Sequence, residues 1–293
     1  DRAGPAFLVS TSYDTDGDGA LNYINITMSE FLTAGNHSTG VFDIANVSIG
    51  QDTTKGLVTL TIGSVVTIND QINIAFDDTV FGTGAVTLSY TGTTVNDSSG
   101  NTNTAPVNAT ITTVDSAAAV LLNAYTLDRS RNGYVDGVRL NFSEGIGNNT
   151  WGTATAALNA SANISIGIET LSFDPDADYD GVNDSVIYLN FTGTTYLSNE
   201  TPVVNISVNK TTNNVYLADL AGNNISYSIN NATIDKAVPS IWIKQTLDYT
   251  RSGYVESINI TFSEQMNDST CDAANFSIEG VSDYTLRTIT AND

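Results

Sequence analysis

Tyr23-Ile-Asn-Ile-Thr-Met-Ser-Glu30 decides the fold, together with its two copies, Gly137-Val-Arg-Leu-Asn-Phe-Ser-Glu144 and Ser257-Ile-Asn-Ile-Thr-Phe-Ser-Glu264. Apolar residues take every second position: Ile24, Ile26 and Met28; Val138, Leu140 and Phe142; Ile258, Ile260 and Phe262. Between them stand Asn25 and Thr27, Arg139 and Asn141, Asn259 and Thr261. A strand turns successive side chains to opposite faces, so this pattern buries one face and wets the other.

The match runs upstream without a gap. Gly19, Gly133 and Gly253 precede these strands, and Asp14, Asp128 and Asp248 precede the glycines. The copies open with Asp1-Arg-Ala-Gly-Pro5, Asp115-Ser-Ala-Ala-Ala119 and Asp235-Lys-Ala-Val-Pro239. The spacing is 114 residues and then 120. Solenoid units are only about 20–50 residues long, so each copy is a whole domain. The expected modules are residues 1–114, 115–234 and 235–293, the last 59 residues long and half a module. The chain therefore reads as a processed or excised piece of something longer. Its third module is completed either by the parent protein or by another chain.

Thr59–Ile62, Ala85–Tyr90, Val186–Phe191 and Val203–Val208 alternate in the same way, separated by Gly, Asn, Asp and Thr clusters. No stretch has helical periodicity. Roughly seven short strands in about 115 residues predict an all-β chain of tandem immunoglobulin-like β-sandwich domains. The antibody Cys–Trp–Cys pattern is absent, so only the architecture is implied.

Lys and Arg number 10 against 32 Asp and Glu, a net charge of −22. Phosphate backbones and anionic membrane surfaces both require basic faces, so nucleic acid and lipid headgroups are excluded as partners. Cys271 is the one cysteine, so no internal disulfide exists, and it reads as a small partly buried hydrophobe. His37, the one histidine, sits in a Gly/Asn/Ser/Thr stretch and reads as a solvated loop residue. No apolar run reaches the ~18 residues of a membrane span, and no signal peptide is expected.

The carboxylates gather in short loops. Asp14-Thr-Asp16-Gly-Asp18-Gly19-Ala-Leu-Asn22 carries oxygen side chains at positions 1, 3, 5 and 9 with glycine at 6. Asp176, Asp178, Asp180 and Asp184 repeat that spacing around Gly181, preceded by Asp174. Alternate carboxylates with a glycine at the sharp turn suit a hard cation, and calcium is the expected cofactor. Position 12 holds Asn25 or Ile187 in place of the bidentate glutamate, and strands follow, so these are EF-hand-like loops on a β scaffold. The equivalent loops, with Asp128 and Asp136 and with Asp248 and Glu256, fit either a cation or a hydrogen-bonded Asx turn. In an immunoglobulin-type sandwich the first turn lies beside the exit to the next module. Asp14, Asp16, Asp18 and Asn22 are therefore expected to meet Asp115 of the linker and Asp219 of the next module around a shared cation. Asp128, Asp136 and Asp235 are expected at the second joint.

Asn-x-Ser/Thr sequons occur 19 times: Asn25, Asn36, Asn46, Asn96, Asn108, Asn141, Asn148, Asn159, Asn163, Asn183, Asn190, Asn199, Asn205, Asn209, Asn224, Asn231, Asn259, Asn267 and Asn275. These are acceptor sites for N-glycans in exported proteins. An alternating strand generates Asn-Ile-Thr on its own, so sequons with an apolar middle residue are possible by-products. Those in turns, such as Asn36, Asn148 and Asn199, are the expected carriers.

A family resemblance rests on the Asp-x-Ala opening, the Phe/Met-Ser-Glu strand ends, and the late turns Asp97-Ser-Ser-Gly-Asn101 and Asp219-Leu-Ala-Gly-Asn223. The modules resemble Ig-like repeats of archaeal and bacterial surface-layer and large extracellular proteins. That resemblance implies an extracellular, cell-surface β-sandwich with no catalytic residues. The expectation is a structural subunit of a surface layer or filament, calcium-stiffened, N-glycosylated and self-associating. The alternative is an adhesin or glycan-binding stalk, with Tyr13, Tyr134 and Tyr254 as sugar platforms. An enzyme is not expected: the acids sit at metal-loop spacing and no histidine stands by for a triad.

Overall fold

The structure is a computed structural model that describes residues 2–33, 35–36, 42–47, 62–76, 83–90, 96–102, 109–147, 164–166, 171–173, 185–191, 195–206, 218–225, 228–267, 269, 271–280 and 285. Repeat 1 forms β1 (Phe7–Tyr13), β2 (Tyr23–Met28), β3 (Gly35–Asn36), β4 (Phe42–Val47), β5 (Ile62–Ile68), β6 (Gln71–Phe76), β7 (Val86–Tyr90), β8 (Ala109–Thr112) and β9 (Val114–Asp115). Repeat 2 forms β10 (Leu121–Leu127), β11 (Gly137–Phe142), β12 (Ile164–Ile166), β13 (Leu171–Phe173), β14 (Val186–Phe191), β15 (Val203–Ile206) and β16 (Ser228–Ala232). The third repeat contributes β17 (Ile241–Leu247) and β18 (Ser257–Phe262), then a 3-10 turn at Ala273–Asn275.

The protein is all-β, with several small sheets. Repeat 1 has one sheet in the order β3-β5-β6-β2-β1-β9 and another in the order β4-β7-β8; repeat 2 has β10-β11-β14-β13 and β12-β15-β16. Among the described residues, strands β17 and β18 pair only with each other. Alternation buries the residues it should. Ile24, Ile26 and Met28 on β2 and Val138, Leu140 and Phe142 on β11 are all buried. In repeat 2 those β11 residues join Ile187 and Leu189 of β14 and Val204 and Ile206 of β15, so both sheets feed one apolar cluster. Each such side chain contributes about 1.5–3 kcal/mol on burial. The same face in the third repeat stays open: Ile258 is exposed, as is Ile241, which pairs with Phe262 across the strands.

Two features recur. The register of the first strand pair slips once in each repeat, between Phe7 and Val9, Leu121 and Asn123, and Ile241 and Ile243. Leu8, Leu122 and Trp242 occupy that slip, and a bulge of this kind re-aims its side chain. The linker runs back along the first strand of its own repeat: β9 pairs parallel with β1, matching Thr11 to Val114 and Ser12 to Asp115. Tyr125 bridges Ile234 in the same parallel sense. Each repeat is thereby left at the end where its first strand finishes, beside the loop at 14–22 or 128–136.

Candidate functional site: the joints between repeats

The three exit loops share one hydrogen-bonded frame. Asp14 accepts the N–H groups of Gly17 at 2.7 Å and Gly19 at 2.9 Å. Asp128 accepts Asn132 N–H at 3.1 Å and Gly133 N–H at 2.8 Å, and Asp248 accepts Ser252 at 3.0 Å and Gly253 at 2.9 Å. The far end of each loop is tied by Asn22 to Thr15, by Asp136 to Arg129 and Ser130, and by Glu256 to Tyr249 and Thr250. The Thr250 hydroxyl, with the Thr250 and Tyr249 N–H groups, holds the Glu256 carboxyl below its usual range. Gly19, Gly133 and Gly253 have φ of 93°, 87° and 85°, the left-handed region that favours glycine.

Asp14, Asp16 and Asp18 converge, each offering a carboxylate oxygen within 4.8 Å of the others. Burial raises the Asp14 carboxyl above its ordinary range, against the pull of the Gly19 and Gly17 N–H groups; Asp16 and Asp18 add to the rise. Asn22 does not turn inward as a fourth free oxygen. Its Oδ1 accepts from Thr15, and its amide donates to Asp16 Oδ1 at 3.1 Å. The second expected loop, with Asp174, Asp176, Asp178, Asp180 and Asp184, lies outside the described residues.

The first joint packs the exit end of repeat 1 onto the entry end of repeat 2. Gly19 lies so close to Leu122 that an added Cβ would stand 2.7 Å from Leu122 Cδ2 and 3.3 Å from Ser143 Cβ. Thr83 and Ser143 share a hydroxyl hydrogen bond at 2.9 Å, and Thr83 also donates to Glu144. Asp115, Glu144 and Asp219 form a second carboxylate cluster, again within 4.8 Å of one another. Glu144 and Asp219 are 4% and 3% exposed. Burial pushes the Glu144 carboxyl up to about 9, helped by the charges of Asp115 and Asp219 and opposed by Thr83. Burial likewise raises Asp115 to about 6; the Ala117 N–H opposes and the Asp219 charge reinforces this. Two charges at that separation repel by about 3.5 kcal/mol or more at an effective dielectric near 20. Two buried carboxylates and the half-buried Asp115 thus favour a shared proton or a cation.

The expected convergence is therefore corrected in its membership. Asp115 and Asp219 do meet, but their third partner is Glu144, and Asp14, Asp16 and Asp18 form a separate group beside the joint. The reason is local: Asp14 is committed to its own loop by two N–H bonds. Glu144 was missed because its Ser-Glu pair read as a strand end. The signal was present, since Glu30, Glu144 and Glu264 are acids held in register in all three repeats.

The second joint repeats the first. Ser198 Oγ donates to Ser263 Oγ at 2.8 Å, as Thr83 meets Ser143. An added Cβ on Gly133 would stand 2.3 Å from Trp242 Nε1. That indole donates to Asn132 O at 2.9 Å, and its ring lies 5.7 Å from that of Tyr134. Ser240 Oγ donates to Asp128 Oδ2 at 2.9 Å. Burial raises the Glu264 carboxyl, with Asp235 and Asp128 adding charge and Ser198 opposing. Of the three acids expected at this joint, Asp128 and Asp235 lie beside Glu264; Asp136 caps the exit loop.

The aromatic positions are mostly engaged. Tyr13 packs on Tyr23 with ring centroids 6.1 Å apart and Tyr134 on Trp242, whereas Tyr254 is exposed. Among the sequons, Asn25 bonds Asn73 Oδ1 at 2.8 Å and Gln71 at 3.2 Å across the outer sheet face. Asn141 is half-buried with its Oδ1 enclosed, and Asn231 donates to Val204 O. Asn96, Asn190 and Asn205 are half-buried; Asn199, Asn224, Asn259, Asn267 and Asn275 are exposed. Asn36 and Asn46 lie on β3 and β4, and the remaining sequons fall outside the described residues.

No protein-family model matches this chain, and no curated protein matches it. One solved structure, described as the crystal structure of the S-layer protein rSbsC(31-844), aligns with 89% of this chain at 14% identity and a TM-score of 0.29. This chain spans 32% of that one. A likeness of that degree carries no argument about fold or function.

Proposed function

We propose that this chain is a structural segment of an extracellular assembly, a surface layer or filament, built from tandem immunoglobulin-like sandwiches at residues 1–114, 115–234 and 235–293. The observation that carries this reading is that the two joints are closed in the same way. Each seats an exit glycine on the bulge side chain of the next repeat, and each links two hydroxyls across the boundary. A chain of domains that fixes its joints twice with the same parts holds a defined shape, as a lattice or filament requires. The acidic net charge and the Asn-, Thr- and Ser-rich outer faces suit a solvated exterior, and the exposed sequons suit N-glycans.

Calcium is the ligand the donor chemistry favours. Asp14, Asp16 and Asp18 offer oxygen-only ligands on one loop, and Asp115, Glu144 and Asp219 offer them between repeats. A bound divalent ion would neutralise the joint cluster and lock the two repeats. Small-angle scattering in millimolar calcium and then in chelator tests this. The expected result is a single extended shape in calcium, and a larger spread of conformations in chelator with both repeats still folded. Freely hinged repeats in both conditions would refute the rigid-array reading. A fixed shape in both would refute only the role of calcium. Micrographs of native material showing neither lattice nor filament would refute the assembly itself.

A further inference from the structure

Repeat 1 carries an entry face built like those at the two joints. Ser29 N–H donates to Ala6 O at 2.8 Å, as Ser143 does to Val120 and Ser263 to Ser240 at the same distance. Ser29 Oγ accepts Ala6 N–H at 2.9 Å, matching Ser143 with Val120 and Ser263 with Ser240. Leu8 sits in the same strand bulge as Leu122 and Trp242. The late turn matches too: Asp97 bridges Leu32 as Asp219 bridges Ile146. In repeats 2 and 3 the preceding repeat covers this face, and Ser143 and Ser263 are 4% and 6% exposed. In repeat 1 Leu8 and Phe31 are each 65% exposed.

We infer that the face formed by Leu8, Ser29, Glu30 and Phe31 is a docking surface for the exit end of a further module of this same repeat. The two joints define the occupant. It presents a positive-φ glycine to Leu8, as Gly19 does to Leu122 and Gly133 to Trp242. It also presents a hydroxyl to Ser29, as Thr83 and Ser198 do to Ser143 and Ser263. Seating it would cover both Leu8 and Phe31 and bring Glu30 into the position that Glu144 holds at the first joint. This inference rests on the reading of the chain as an array of joined modules, but its failure would leave the two internal joints, and that reading, intact.

The test extends the full chain with an extra copy of residues 115–234 ahead of Asp1, so that its Ile234 leads into Asp1 as Ile234 leads into Asp235. Hydroxyl-radical footprinting reads Leu8 and Phe31. Oxidation of Leu8 is expected to fall about twofold, the ratio of its 65% exposure to the 36% of Leu122 at the closed joint, with Phe31 falling as well. Gly133→Leu in the added copy alone should restore both rates. Ser198→Val in that copy, which leaves the loop backbone untouched, should restore them in part. Unchanged rates at Leu8 and Phe31 in the extended chain, with Leu122 still protected, would overturn the inference. Protection that grows with concentration in the unextended chain, and that Gly133→Leu does not relieve in the extended one, would also overturn it, since a different surface of a second copy would then hold the face.

Discussion

Gly133→Ala and Gly253→Ala form a matched pair that isolates the worth of a joint. Both glycines follow the same Asp-anchored loop at nearly the same φ, 87° and 85°. An alanine in this left-handed region costs about 1–2 kcal/mol wherever it is placed. At Gly253 nothing lies within 4 Å of the new methyl, so that strain is the whole effect. At Gly133 the methyl would stand 2.3 Å from Trp242 Nε1 and 2.8 Å from Ser263 Cβ, so the indole must leave. Overpacking of this kind adds about 1–3 kcal/mol. Loss of the Trp242 bond to Asn132 adds about 1 kcal/mol and loss of its contact with Tyr134 about 1 kcal/mol more. Gly133→Ala should therefore cost about 3–5 kcal/mol beyond Gly253→Ala, more than a hundredfold in the closed-to-open ratio of the joint. Tryptophan emission reports the release directly, because Trp242 moves into water while Trp151 is common to both variants. A red shift is expected in Gly133→Ala alone, with a wider distribution of shapes in scattering. Indistinguishable spectra and melting curves would refute the account of the joint.

Glu144→Gln should reverse its effect with conditions. The Glu144 carboxyl lies at about 9 in the fold against an unfolded value of 4.5, so its contribution is fully present below about pH 4.5 and is lost as pH rises through 9. Asp115, raised to about 6, acts in the same sense between about 4 and 6. In chelator the wild type should lose stability from pH 5.5 to 8.5, and Glu144→Gln should lose about 4 kcal/mol less at most. In calcium at pH 8.5 the order should invert, because glutamine removes a charged ligand; parallel melting curves for the two proteins would contradict this. Asp14→Asn should blunt any calcium-induced rise in melting temperature; its one oxygen can keep only one of the Gly17 and Gly19 bonds, which Asp14 accepts on separate oxygens, so the rise is read against the variant's own midpoint in chelator, and an undiminished rise would exclude the 14–18 loop as a cation site. Glycopeptide mapping of native material should find glycans at exposed Asn199, Asn224 and Asn267 and none at Asn25 or Asn141, whose side chains lie along the sheet face; occupancy at Asn141 would contradict that placement.

Strand positions were legible because they follow from alternation, which is a property of the chain itself. Ile24, Val138 and their partners are buried because period two leaves them no other face. The crowding of exit loop against entry strand followed from asking where a first turn must lie. The joint chemistry was harder to read. Glu144 acts through Thr83, 61 positions earlier in a different repeat, and no local pattern links the two. Gly19 looked like a calcium-loop glycine, yet what limits its side chain is also Leu122 of the next repeat. The sequons mixed two causes. Asn25 and Asn141 arise from the outer rungs of alternating strands, whereas Asn199 belongs to a turn, and the triplet alone is the same in each case.

The parallel pairing of each linker with the first strand of its own repeat has a mechanical consequence. A pull along the chain drags β1 backwards from Phe7 and β9 forwards through Asp115. Because the two strands run the same way, the load slides one along the other and strains all the hydrogen bonds between them together. An antiparallel pair joined at a hairpin would instead open one bond at a time. Repeat 2 is loaded in the same shear through Tyr125 and Ile234, where Thr126 N–H meets Ile234 O at 3.0 Å and Ile234 N–H meets Ala124 O at 2.7 Å. Forced unfolding is governed by the barrier and not by equilibrium stability. Single-molecule pulling should therefore give a rupture force that drops sharply when Ile234→Pro deletes the donor to Ala124, out of proportion to the change in melting temperature. A tether that yields at equal force with and without that bond would show that the load is carried elsewhere.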